Sequence, residues 1–157
     1  MRAHLLDLLT SLHGVRQSKR HHPEGDALFH SLQVFEAALA DTSDGELLAA
    51  ALLHDIGKAI SAPEHAHIGA QLLKPHLSDR VVWLVAHHMD LLHHPRRTRR
   101  KLRRDPRLRE LEALRRWDLA GRDPYARTML PSDAIDLMMD HLQPFGLTAT
   151  SHDKEYA

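Results

Sequence analysis

The chain contains no cysteine, which excludes disulfides, thiolate metal sites, iron–sulfur clusters and a cysteine nucleophile. Any metal must therefore be held by nitrogen and oxygen. Long apolar runs are missing too: the longest, Leu47 to Leu53, has seven residues, against the roughly 20 that a bilayer-spanning helix needs. Near the N-terminus Asp7 interrupts Leu5, Leu6 and Leu8, so no signal-peptide apolar segment forms, and a cytoplasmic location without a membrane partner is expected. Net charge is also lacking, since 21 Lys and Arg balance 21 Asp and Glu. A nucleic-acid partner would then need a local patch. At 157 residues the length suits one domain, expected over 1–145, with residues 146–157 as a flexible tail.

What the chain has in excess is histidine, 15 in all, the commonest metal ligand and a common general acid or base. Apolar residues recur at three- and four-residue spacing with no convincing alternating run, so an all-α fold, a compact helical bundle, is expected. The first helix covers Ala3 to His13 and ends at Gly14, and a loop runs from Val15 to Gly25. The second helix starts near Asp26 and carries Phe29, Leu32, Phe35 and Leu39. Ser43 and Glu46 form a capping-box signature for a third helix over 44–56, stopped by Gly57. Its stretch Leu47 to Leu53 is apolar on every side, which marks a helix buried at the bundle centre. Helices are expected near 64–74 and 78–93, the latter capped by Ser78, then from Asp105-Pro106 to about Gly121, and from Pro131 or Ser132 onward.

His54-Asp55 closes the all-apolar helix, so two ionisable groups enter what should be a buried centre. Burying even an uncharged polar group without a partner costs roughly 2–7 kcal/mol, and a metal ion is an economical compensation. The dipeptide alone is weak evidence, because His152-Asp153 repeats it in the tail. Its context raises it: the buried helix before, Gly57-Lys58 after, and further His and Asp residues on other helices.

The order His30, His54-Asp55, Asp118 resembles the HD superfamily of metal-dependent phosphohydrolases, whose pattern is a His, a His-Asp pair and a distant Asp on a helical bundle. The stretches His22-Pro23-Glu24-Gly25-Asp26, His54 to Lys58 and Trp117 to Arg122 are similar to the HD domain found in some bacterial tRNA nucleotidyltransferases. Nothing resembles a nucleotidyltransferase head, so a free-standing HD domain is expected and the nucleotide-adding activity does not carry over. The resemblance implies that His30, His54, Asp55 and Asp118 hold one ion. It also implies candidates for a second ion, so that one or two ions bind: Asp55 would bridge to the second, held by His65, with His67 competing, and by His88, alone or with His87. Mn, Fe, Co, Ni or Zn suits such ligands, and Mg is compatible.

Within that reading Asp55 and Lys58 are the expected catalytic groups. Lys58 and Arg122 are expected to meet the substrate, a nucleotide or other small phosphate ester, and Glu24 and Asp26 border the cleft as proton carriers. The alternative is a noncatalytic RNA- or nucleotide-binding module with a structural metal; a metal-dependent oxygenase is a third reading. Between Arg96 and Arg116 lie ten arginines and Lys101 against three acids. That is the local patch the net charge hides. It reads as a solvated face, a phosphate or RNA contact, or a contact for an acidic protein, and no aromatics interleave it for base stacking.

Overall fold

The computed structural model describes residues 1–142, so the expected tail and its His152-Asp153 pair lie outside the described residues. Within them the chain is all-α: α1 Arg2–Thr10, α2 Ala27–Leu39, α3 Gly45–Leu53, a 3-10 turn Ile56–Ala59, α4 His65–Leu73, α5 Asp79–His87, α6 Asp90–His93, α7 Pro95–Lys101, α8 Arg107–Ala120 and α9 Pro131–Leu142. The one β-bridge among these residues joins Arg16 to Asp26 across the loop before α2.

The apolar α3 is the axle. It packs against α2, α5, α8 and α9, and Leu48, Leu52 and Leu53 have no exposed surface. Each such leucine contributes about 1.5–3 kcal/mol of burial. Because α3 is enclosed on all sides, the residues that follow it emerge inside the protein: His54 and Asp55 are 3 % and 2 % exposed.

Local signals set the helix starts. Asp26 caps α2, accepting from Phe29 N at 3.0 Å and from Gly14 N at 2.6 Å. Asp26 therefore closes a helix end and stands apart from the cleft where a proton carrier was expected. Ser78 caps α5 through Val81 N, as its position predicts. At α3 the cap is Asp44, which accepts from Glu46 N and Leu47 N, in place of Ser43; adjacent capping residues compete, and the carboxylate takes the position.

Two segments depart from expectation. The helix expected over 78–93 breaks after His87, and His88 is the C-cap of α5. The arginine segment contributes a helix of its own, α7, whose sequence has no apolar stripe. It docks through buried Thr98 and Leu102, one turn apart, and Thr98 Oγ1 donates to Asp90 O.

Candidate metal centre

Four helical elements and the turn after α3 bring their polar groups to one point. α2 supplies His30, the end of α3 supplies His54 and Asp55, α4 begins with His65, α5 ends at His88, and α8 carries Asp118. Gly57 sets the approach of α4: a Cβ there would overlap the backbone carbonyl of His65. The residue that reads as a helix stop is thus also what lets His65 reach Asp55. On the other side, a Cβ on Gly121 would lie 2.7 Å from Val34. This close seat lets the Gly121 carbonyl accept from His30 Nδ1 at 2.8 Å.

Asp55 is the hub. Its Oδ2 lies 3.3 Å from His54 Nε2 and 3.7 Å from His30 Nε2. Its Oδ1 lies 3.3 Å from His65 Nε2 and 3.6 Å from His88 Nε2. Asp118 divides its oxygens in the same way: Oδ1 is 2.8 Å from His30 Nε2 and 3.7 Å from His54 Nε2, while Oδ2 takes Arg115 at 3.1 Å and Arg122 at 3.4 Å. Pairing with the arginines thus occupies one oxygen of Asp118 and leaves the other facing the imidazoles.

The ring nitrogens on the far side decide the chemistry of this cluster. His54, His65 and His88 donate Nδ1–H to the carbonyls of Ala51, Ala62 and Val85 at 2.8, 2.7 and 2.7 Å. His30 does the same to Gly121, and the Glu24 carboxylate stands 3.1 Å from the same nitrogen. A neutral imidazole whose proton is engaged at Nδ1 presents a lone pair at Nε2, the arrangement that outer hydrogen bonds impose on metal-ligating histidines. All four lone pairs then face carboxylate oxygens or each other. His65 Nε2 and His88 Nε2 are 3.1 Å apart, and His54 Nε2 is buried without a hydrogen-bond partner among the described residues. Such lone pairs repel unless positive charge lies among them.

A proton is one source of that charge. Burial opposes it at His54, but the Asp55 and Asp118 carboxylates prevail and push this imidazole up to about 10. His30 is raised against its burial by Asp118 and Glu24. At His88 burial wins and the pKa falls. Asp55 and Asp118 are held below the usual carboxylate range, against their burial, chiefly by the neighbouring histidines. A divalent cation is the other source, and the donor set fits it. Ligand atoms of His30, His54 and Asp118, and of His54, Asp55 and His88, lie within 4.8 Å of one another. Two donors each about 2.1 Å from one ion are roughly 3.0–3.4 Å apart, the range these contacts straddle.

A cavity of about 390 Å³ opens on the cluster. Asp55, Asp118 and His88 form its floor, Lys58, Arg115 and Arg122 its cationic wall, and Met89 and Leu92 an apolar side. Lys58 Nζ is 3.0 Å from Asp55 Oδ2 and 2.6 Å from Gln17 Oε1. Arg122 donates to the His21 carbonyl at 2.7 Å.

Of the residues singled out in the sequence, the structure brings together His30, His54, Asp55, His65, His88, Asp118, Lys58 and Arg122. His65 is buried and His67 exposed, which separates those two. His87 does not join them. Adjacent helical residues diverge by about 100°, and with His88 turned inward His87 is carried away from the cluster. There its ring stacks on Trp83, centroids 4.4 Å apart, and its Nδ1 donates to Asp90 at 2.8 Å. Glu24 is buried at the site's edge between His22 and His30, 2.7 Å from His22 Nδ1. The cavity also takes residues that the sequence does not single out for the site, among them Arg115, whose place three residues before Asp118 puts it on the same helix face, and His22, which sits in the stretch that ends at Asp26.

Comparison with known proteins identifies the family. A stretch of 62 residues, 40 % of the chain, is 48 % identical to the multifunctional CCA protein of Halorhodospira halophila, of which it covers 15 %. The match to the protein of the same name from Methylococcus capsulatus is 49 % over 53 residues, 34 % of the chain and 12 % of the relative. For Hahella chejuensis it is 38 % over 80 residues, 46 % of the chain and 19 % of the relative. The chain thus spans less than a fifth of the length of these relatives. The HD domain model matches residues 28–129, a span that contains every member of the His and Asp cluster, and the chain belongs to the HD domain family.

Proposed function

We infer that the chain hydrolyses a phosphate ester, a nucleotide or another small phosphorylated molecule, with two divalent ions held around Asp55. His30, His54, Asp55 and Asp118 would hold one ion, and Asp55, His65 and His88 the other. The observation that carries this reading is the division of Asp55: each carboxylate oxygen faces its own pair of imidazoles. Membership in a family of metal-dependent hydrolases supports it. The imidazole-rich donor set favours Mn, Fe, Co, Ni or Zn over Mg. The nucleotide-adding reaction forms no part of the reading, because the similarity to the CCA proteins covers so little of them.

Ions bound in such a site supply Lewis acidity to a phosphoryl oxygen and lower the pKa of a water. The chain's own residues do the rest. Lys58 and Arg115 present cationic donors to the cavity, and Arg122 extends that wall; together they would bind the phosphate and stabilise the charge that grows on its oxygens. Lys58 cannot itself ligate while protonated, since an ammonium has no lone pair. The Nδ1 bonds to backbone carbonyls hold each ring in its tautomer, and Met89 and Leu92 give the substrate an apolar wall.

The test is elemental analysis of freshly purified protein, joined to a screen of nucleotides and cyclic phosphates with each metal. Bound transition metal and turnover, both lost in Asp55→Asn at unchanged helix content, are the expected result. Bound metal without turnover on any phosphate ester would instead favour the noncatalytic module, with the metal as a structural clamp.

A further inference from the structure

On the far side of α5 and α6 from the metal centre lies a second cavity of about 350 Å³, and nothing in the hydrolytic reading uses it. Its walls include Trp83, His87, Arg97, Lys101 and Arg107. We propose that this cavity and the adjoining face of α7 bind single-stranded nucleic acid, the cations taking phosphates and the stacked Trp83, His87 and Arg107 groups taking a base.

Three observations carry it. First, most of the positive charge of this segment is uncompensated. Asp105 is taken by Arg107, Glu110 by Arg80 and Glu112 by Arg99. Among the described residues no carboxylate lies within 4 Å of Arg96, Arg97, Arg100, Lys101, Arg103 or Arg104. Asp90 also lines the cavity, but its carboxylate is engaged by His87. Second, the charge is held in place. Thr98 and Leu102 dock α7 and leave Arg97 and Lys101, one turn apart, at the cavity.

Third, a flat platform stands beside the charge. The sequence shows no aromatic within the arginine segment, but α5 brings Trp83 against it. His87 lies on Trp83 at an interplanar angle of 26°, and the Arg107 guanidinium sits 4.3 Å from the ring centre. Aromatic rings and guanidinium planes beside a basic groove are the components of sequence-tolerant single-strand binding. An acidic protein would have use for the cations and none for the stack. A membrane surface would need an apolar face on α7, and PRRTRRK has none.

The proposal is independent of the metal centre and can be tested apart from it. Anisotropy of a short fluorescein-labelled single-stranded RNA would be measured across a salt series with the full chain and with Arg97→Gln/Lys101→Gln and His87→Ala. Helix content and bound metal serve as controls for folding. Removing two phosphate contacts should weaken binding by about tenfold or more and reduce the slope of log K against log salt by roughly 1.4. Losing the stacking surface in His87→Ala should weaken it by about tenfold with the slope unchanged. Asp55→Asn should lose metal and keep RNA binding, which separates failure here from failure of the hydrolytic reading. Single-stranded DNA binding as tightly as RNA would fit recognition of phosphates and bases. Binding within about twofold of the parent in both cavity variants overturns the proposal. So does duplex RNA or polyglutamate bound as tightly as the single strand.

Discussion

Two cavities lie back to back across α5 and α6, and the adjacent residues His88 and His87 face one each. In the first, carboxylates and imidazoles are buried together and every charge has an opposite charge or a lone pair against it. In the second, cations crowd an exposed face whose nearby acids are already taken. Both regions are dense in basic residues, yet only the first has an arrangement that could hold a metal: buried rings fixed at Nδ1, with Nε2 atoms converging on Asp55. Residue count therefore says little about function here; burial and the partner of the second ring nitrogen say more.

The contrast can be broken most severely at its hub. Asp55→Asn should lose bound metal and lower turnover by more than about 100-fold, whereas Arg97→Gln/Lys101→Gln should change neither; metal analysis and initial rates on both variants check this. Lys58→Ala should reduce turnover by about 100-fold or more through lost charge stabilisation while metal content stays at the parent level. Equal metal loss would make Lys58 a structural partner of Asp55. The neighbouring histidines sharpen the comparison further. His88→Ala should weaken metal binding by about 10–100-fold, and His87→Ala should leave it unchanged in the same competition assay.

The smallest effect is one of pH. In metal-free protein His54 is raised to about 10. Its contribution to stability is thus fully present below about 6.5 and is lost as pH rises through about 10. Metal-loaded protein has no proton at that position to lose. The gap in melting temperature between loaded and chelator-treated protein should therefore widen from pH 6.5 toward pH 10, as proton competition for the ligands fades. A gap that stays constant over that window would show that His54 does not exchange a proton for the metal.

Much of the His and Asp cluster is legible because two independent patterns meet at one place: an all-apolar helix that must be central, and His54-Asp55 at its end. His30 and Asp118 follow from the resemblance to the HD pattern, which they fill in order along the chain. The choice of His65 over His67 was less accessible, since it depends on the close approach of α4 at Gly57, a contact between elements that helical spacing does not encode. His87 against His88 turns on how α5 rotates and where it stops. No glycine or proline marks that stop, so the expected helix ran on to residue 93. Helix α7 was invisible to periodicity for a physical reason: two side chains dock it, and the rest face solvent. Trp83 gains its place from packing alone, beneath the arginine segment, whereas the spacing of Arg115 from Asp118 already puts the two on one helix face.

The most direct test of the account is an anomalous-scattering map from crystals of the protein loaded with a single transition metal. The account predicts two peaks flanking Asp55, one within bonding distance of His30, His54 and Asp118 and the other of His65 and His88. No peak among these residues at full metal loading, or a single peak on the His87 side of α5, would contradict it.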